Sequence, residues 1–146
     1  MPFTTVNDPR YSDVVLKEQN DYDSRRVVTA NITTSTGTYK QGTVLFRAKA
    51  VDDSAAWDVV DAGADLSISN EYAVLIGDSK KPVESLTLTN GTPASVIVLA
   101  KDASVKEEVL KAIHQTGGFT ANNFRDLKGL LFKNSGILVK DSLVAL

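Results

Sequence analysis

The chain has 146 residues, a net charge of -2, 42% hydrophobic residues and no cysteine. That length allows one domain with a modest core, and the composition is not that of a disordered chain. Interspersed acids and bases argue against a protein whose main task is gripping phosphate backbones, and the lack of cysteine excludes disulfide frameworks, thiolate metal sites and cysteine nucleophiles.

The first fifteen residues, MPFTTVNDPRYSDVV, lack a basic region followed by an apolar core. No run approaches the roughly 20 apolar residues of a membrane helix. The chain therefore reads as a soluble protein made in the cytoplasm. Residues 1–21 hold two prolines, Pro2 and Pro9, which fix φ and remove backbone donors. This segment reads either as a frayed terminus or as an arm that orders on a partner by adding a strand to its sheet. Residues 22–146 read as the folded body. The stretch YDSRRVVTANITTSTGTYKQGTVL, Tyr22 to Leu45, is the entry into it.

Within the body, Arg26 to Ile32 is a predicted strand rich in β-branched residues, and Ser35, Thr36 and Gly37 mark a turn. Thr43 to Phe46 is a short apolar run, with Gly42 before it suited to a turn or a tight backbone approach. A polar break at Asp52, Asp53 and Ser54 precedes the short segment of Trp57, Val59 and Val60. Trp57, the single tryptophan, suits a core or interface anchor. Tyr72 to Ile76 predicts a buried strand, with Gly77 and Asp78 as its exit. The clearest predicted hairpin joins Leu86–Thr89 to Ser95–Ala100 through Asn90-Gly91, a pair that supplies the positive φ values of a tight turn.

The last third changes period. Ser104 and Glu107 have capping-box spacing, and Val105, Val109, Ala112 and Ile113 fall on one helical face. Gly117 and Gly118 end that helix. Thr120 caps a second, in which Phe124, Leu127, Leu130 and Leu131 repeat at helical spacing. Asn134 and Gly136 stop it, and Ile137 to Val139 is a final strand. The sum is an α+β fold: a compact β-rich body, a small mixed sheet or barrel, with two C-terminal helices behind an extended N-terminal arm.

Little in the sequence carries chemistry. His114, the only histidine, lies late in a helix, where a surface position is expected, and no nucleophile motif accompanies it. The neighbouring pairs Asp52–Asp53 and Glu107–Glu108 diverge on any regular element, so neither forms a facing carboxylate pair. No EF-hand, P-loop or dinucleotide fingerprint occurs. The expectation is a protein without catalytic residues, metal or cofactor. Arg25 and Arg26 suit either an interface or the charge that protects an edge strand.

Several segments in order resemble the lambda-type phage head decoration proteins, which stabilise capsids. These are YDSRRVVT (Tyr22 to Thr29), QGTVLFR (Gln41 to Arg47), EYAVLIGD (Glu71 to Asp78), SVIVLAKDASVKEEVL (Ser95 to Leu110) and FRDLKGLLFKNSGILVKDSL (Phe124 to Leu143). The resemblance covers nearly all of the chain after the arm. It implies a β-tulip-like α+β body, a homotrimer, and a place on the outer surface of the expanded capsid at three-fold and quasi-three-fold positions. The partner it implies is the major capsid protein, with no membrane and no direct nucleic-acid contact. It also implies that the arm makes much of the capsid contact, which on this chain points to Thr4, Thr5, Val6, Tyr11, Val14, Val15 and Leu16. Arg25, Arg26 and Trp57 are candidates for a subunit or capsid contact. Two other readings stay open: a head-fibre base or tail-tube subunit, and a small β-barrel that binds nucleic acid or a ligand, for which Tyr22, Tyr39, Phe46 and Trp57 would have to supply stacking.

Overall fold

The computed structural model describes residues 14–18, 24–49, 55–115 and 119–141. Among the described residues, ten strands run in the order β1 (Val15–Glu18), β2 (Arg25–Ala30), β3 (Gly37–Lys40), β4 (Val44–Ala48), β5 (Asp58–Val59), β6 (Asn70–Asp78), β7 (Ser85–Leu88), β8 (Ala94–Leu99), β9 (Ala103–Lys106) and β10 (Ile137–Lys140). Two helices, α1 (Glu107–His114) and α2 (Ala121–Ser135), lie between β9 and β10. The α+β class expected from the sequence is the class observed. Among the described residues, no helix is long and apolar enough to cross a membrane.

A five-stranded antiparallel sheet, β2-β8-β6-β4-β5, is the spine. Its central strand β6 is buried from Tyr72 to Gly77, because both sheet faces are covered. Alternation divides its side chains. Tyr72, Val74 and Ile76 join the core shared with α1, α2 and the sheet β1-β9-β10. Ala73 and Leu75 join a second core with Trp57, Leu88 and Ile32, beneath the ribbon of β3 and β7. The sheet is open rather than a barrel. Its edge strands meet at one end only, where Trp57 N–H donates to Thr29 O and Asn31 N–H donates to Trp57 O, both at 2.9 Å.

Three local expectations give way to longer-range pairing. The Asn90-Gly91 turn does not close a hairpin. β7 pairs with β3, while β8 pairs with β2 and β6. Gly91 alone takes a positive φ, 77°, and Asn90 does not, so the turn lacks the two positive values a tight hairpin of that kind needs. Asn90 instead donates its amide to Thr33 O and Thr34 O, and Gly91 N–H donates to Ile32 O. The turn is thereby tied across to the loop after β2.

The first helix begins at Glu107 and not near Ser104. Residues 103–106 are β9, held between β1 on one side and β10 on the other; two ladders outweigh one local cap. Lys106 stands at the helix start with no side-chain cap. Gly117 and Gly118, expected to end this helix, lie outside the described residues, as do Asp52 to Ser54.

The third correction concerns the arm. Its expected end at Asp21 does not coincide with the end of the core. Val14 and Val15 are buried in the main core, and β1 pairs antiparallel with β9. Two adjacent valines facing a sheet edge and α1 gain more by burial, roughly 1.5–3 kcal/mol each, than they could as a solvated strap.

The second helix forms as its sequence predicts. Thr120 accepts from Asn123 N–H, and the Asn123 side chain bonds back to Thr120 N–H. Phe124, Leu127 and Leu131 are buried, and Gly136 closes the helix at φ 66°. Ser135 fastens its end to β6, accepting from Tyr72 N–H at 3.2 Å and donating to Tyr72 O at 2.6 Å. Gly129 lies mid-helix, and an added Cβ would meet nothing within 4 Å. Gly129→Ala is expected to raise stability by about 1 kcal/mol, a few degrees in thermal denaturation. An unchanged or lower midpoint would contradict open space at that position.

Candidate functional site

The residues singled out from sequence do not converge. Thr4, Thr5, Val6 and Tyr11 lie outside the described residues. Leu16 belongs to β1, and Val14 and Val15 are core. Arg25 and Arg26 open β2, opposite Leu99 and Val98; Arg26 is exposed and Arg25 half-buried. Val27 beside them is 62% exposed. Trp57 is not a contact surface: it is 1% exposed, because it plugs the seam between the two sheet edges. The Arg47 guanidinium lies 4.6 Å over its ring and bonds to Glu71 at 3.0 Å and to Ala55 O at 3.0 Å. Among the described residues, Trp57 Nε1 is the one buried side-chain polar atom without a hydrogen-bond partner.

What the structure does assemble is a cleft of about 580 Å³ between α1 and the strands β3 and β5. Thr38, Tyr39, Lys40, Gln41 and Thr43 form one wall, Val59, Val60 and Asp61 the floor, and Glu108, Val109, Ala112, Ile113 and His114 the other wall. Gly42, buried beneath it at φ 107°, lets α1 approach: a Cβ there would stand 3.0 Å from Ile113 Cδ1 and 3.2 Å from Val109 Cγ1. The expected tight approach at Gly42 is therefore observed.

His114 is buried rather than on the surface. Val60 N–H donates to Val44 O at 2.9 Å, yet the reciprocal donor, Val44 N–H, gives its hydrogen to His114 Nε2, also at 2.9 Å. The ring thus takes the place of a strand partner where the two-residue β5 ends. Because Nε2 must offer a lone pair, the neutral ring carries its proton on Nδ1. Burial drives the pKa down from 6.5 to about 4, against the opposing pull of the Val60 and Gly42 carbonyls. With Nε2 committed to Val44, the ring is a structural acceptor for the backbone and has no lone pair for a substrate or metal.

Three other polar side chains in the cleft, those of Gln41, Thr43 and Tyr39, are likewise engaged. Gln41 Nε2 donates to Ile76 O and Val83 O, Thr43 Oγ1 to Lys40 O, and Tyr39 Oη to Ser35 O. Among the described residues, no group of three or more His, Asp or Glu side chains could hold a metal ion. The cleft has the size of a small-ligand site, roughly 300–1,000 Å³, without converging polar groups to orient a ligand. Its lining mixes the apolar Val59, Val60, Val109, Ala112 and Ile113 with the charged Lys40, Asp61 and Glu108. Helical periodicity places Val109, Ala112 and Ile113 on one face but does not reveal their exposure; on α1 it is Leu110 and His114 that are buried.

Comparison of the chain with protein-family models, with curated proteins and with solved structures finds no match.

Proposed function

We propose that the protein is a structural virion component that binds the outer surface of an expanded phage capsid, as a homotrimer at three-fold and quasi-three-fold positions, and stabilises the head. The observation that carries this reading is the ordered resemblance of five segments to lambda-type decoration proteins. Those segments supply β2, β4, β6, the β8-β9-α1 passage and the α2-β10 passage, which contribute many of the residues of the two cores. A cement protein needs stiffness, an adhesive segment and many copies, and weak contacts from several arms on one oligomer reinforce one another.

The contact residues of the proposal are narrower than the sequence suggests. Val14, Val15 and Trp57 are buried, so the capsid contact falls to Thr4, Thr5, Val6, Tyr11 and Leu16, with Arg25 and Arg26 as subunit or capsid contacts. The test is co-sedimentation with expanded, undecorated heads. The full chain is expected to pellet with them. Removal of Met1 to Asp13, which leaves β1 in place, is expected to weaken binding at least tenfold. Equal binding by that variant would take the arm out of the mechanism, and failure of the full chain to bind any head would remove the decoration reading.

A further inference from the structure

The turn between β7 and β8 holds the only Asn-Gly pair in the chain, Asn90-Gly91. Such a pair can react with water unaided. The glycine backbone nitrogen attacks the side-chain carbonyl carbon of the asparagine, and the missing Cβ on the glycine leaves that approach unhindered. The nitrogen gives up its proton to water or hydroxide. A new N–Cγ bond forms as the Cγ–Nδ2 bond breaks, and Nδ2 takes up a proton and departs as ammonia. Water then opens the cyclic imide at either carbonyl, leaving aspartate or isoaspartate. No oxidant or cofactor is needed, and asparagine is thermolabile accordingly. Asn90 and Gly91 are both exposed, so water reaches the site.

The fold ties down both reacting groups. Asn90 Nδ2 donates to Thr33 O at 3.0 Å and to Thr34 O at 2.7 Å. Gly91 N–H donates to Ile32 O at 3.0 Å, and Asn90 N–H donates to Thr36 Oγ1 at 2.9 Å. The loop that receives these bonds is itself anchored. Ile32 is buried in the second core, and Thr33 donates its N–H and its hydroxyl to the Asp58 carboxylate at 3.0 and 2.6 Å. The imide has neither an Nδ2 nor a hydrogen on the Gly91 nitrogen. Forming it therefore forfeits the bonds to Ile32 O, Thr33 O and Thr34 O together. In the unfolded chain the same step forfeits none of them.

We propose that Asn90-Gly91 is a deamidation site that folding keeps shut, and that reaction there releases the β7–β8 turn permanently from the loop after β2. The turn must lift off that loop before the nitrogen and the side chain are free to meet, so the rate follows local opening. The product cannot restore the latch. A carboxylate at position 90 has no hydrogen to offer Thr33 O and Thr34 O, and it sets negative charge against both. The inference concerns the chain's own covalent chemistry and stands apart from the capsid reading.

Peptide mapping by mass spectrometry follows conversion of the Asn90 amide to the acid in the full chain at mildly alkaline pH, once folded and once in guanidinium chloride. Conversion is expected in the unfolded chain, and at a rate roughly tenfold or more lower in the folded one. Thr36→Val removes the acceptor of Asn90 N–H. It is expected to speed conversion of the folded chain roughly threefold and to leave the unfolded rate unchanged, while Thr36→Ser, which keeps the hydroxyl, stays at the native rate. Asn90→Asp reproduces one product and is expected to lower the urea midpoint by roughly 0.5 M. No conversion at Asn90 in the unfolded chain, equal folded and unfolded rates, or a folded rate that Thr36→Val leaves unchanged would each overturn the proposal. A native urea midpoint in Asn90→Asp would overturn the release of the turn.

Discussion

Gly77→Ala is expected to cost about 3–4 kcal/mol of folding stability, combining overpacking with the loss of a hydrogen bond. That is a large part of the 5–15 kcal/mol typical of a domain. A Cβ on Gly77 would stand 2.1 Å from Lys81 O, 2.6 Å from Pro82 Cα and 2.8 Å from Lys81 C. All three are backbone atoms, so no rotamer change relieves the overlap. Gly77 lies just past a bulge in β6, paired with Ile97 on one side and bridged to Pro82 on the other. Making room means moving the Lys81–Val83 segment. That breaks the bond from Val83 N–H to Ile76 O, and it withdraws Val83 O from Gln41 Nε2. The first of these is made to the central strand, whose side chains enter both cores. Urea denaturation of the two proteins measures it. Gly91→Ala is the control: it also changes a turn glycine, but its Cβ would meet nothing within 4 Å, so only the strain of a positive φ, about 1–2 kcal/mol, is expected. A Gly77→Ala cost no greater than that of Gly91→Ala would mean that the Lys81–Val83 segment yields freely.

Gly77 also marks the limit of what the sequence alone conveys. The apolar run Tyr72–Ile76 announces a buried strand, and a glycine after it reads as an exit. The strand in fact continues through Asp78; the glycine is required by a backbone that packs against it from five residues downstream. The same division recurs along the chain. Thr120, Asn123 and Gly136 specify both ends of α2 through their own side chains and φ, so that helix is legible from local chemistry. Ser104, Glu107 and the Asn90-Gly91 pair carry equally good local signals and are overruled, because β9 has strand partners on both sides and β7 finds β3. Those partners are distant in sequence, and no pattern within a window of ten residues encodes them. The cleft was half legible for the same reason. Its stripe on α1 shows in the periodicity, but whether a stripe faces the core or an opening depends on where β3 and β5 lie.

His114 shows the largest effect of pH to be expected. Its folded pKa, about 4, lies below the value near 6.5 of an unfolded histidine. Between those values the unfolded chain binds a proton that the folded chain refuses, so stability rises with pH across that window. The full contribution is present above about pH 6.5, falls as the pH drops toward 4, and changes no further below. The displacement corresponds to about 3 kcal/mol. The physical cause lies in the hydrogen bond as well as in burial: protonating Nε2 turns the acceptor of Val44 N–H into a second donor aimed at it. Loss of this bond frees α1 from β4 and so loosens the cleft wall that His114 shares with Val109 and Ile113. Asp78 acts in a different window. Its carboxylate accepts from the Lys80 and Lys81 N–H groups, which hold its pKa below the ordinary value of 3.8, so its contribution disappears only as the pH falls below that value. Urea midpoints of the native chain at pH 7 and pH 4.5 are expected to differ by most of the histidine contribution. In His114→Gln, whose amide oxygen can still accept from Val44 N–H but cannot titrate, the difference is expected to shrink to what the carboxylates supply. Parallel pH profiles for the two proteins would show that the histidine is already solvated in the folded state and that Val44 N–H has another partner.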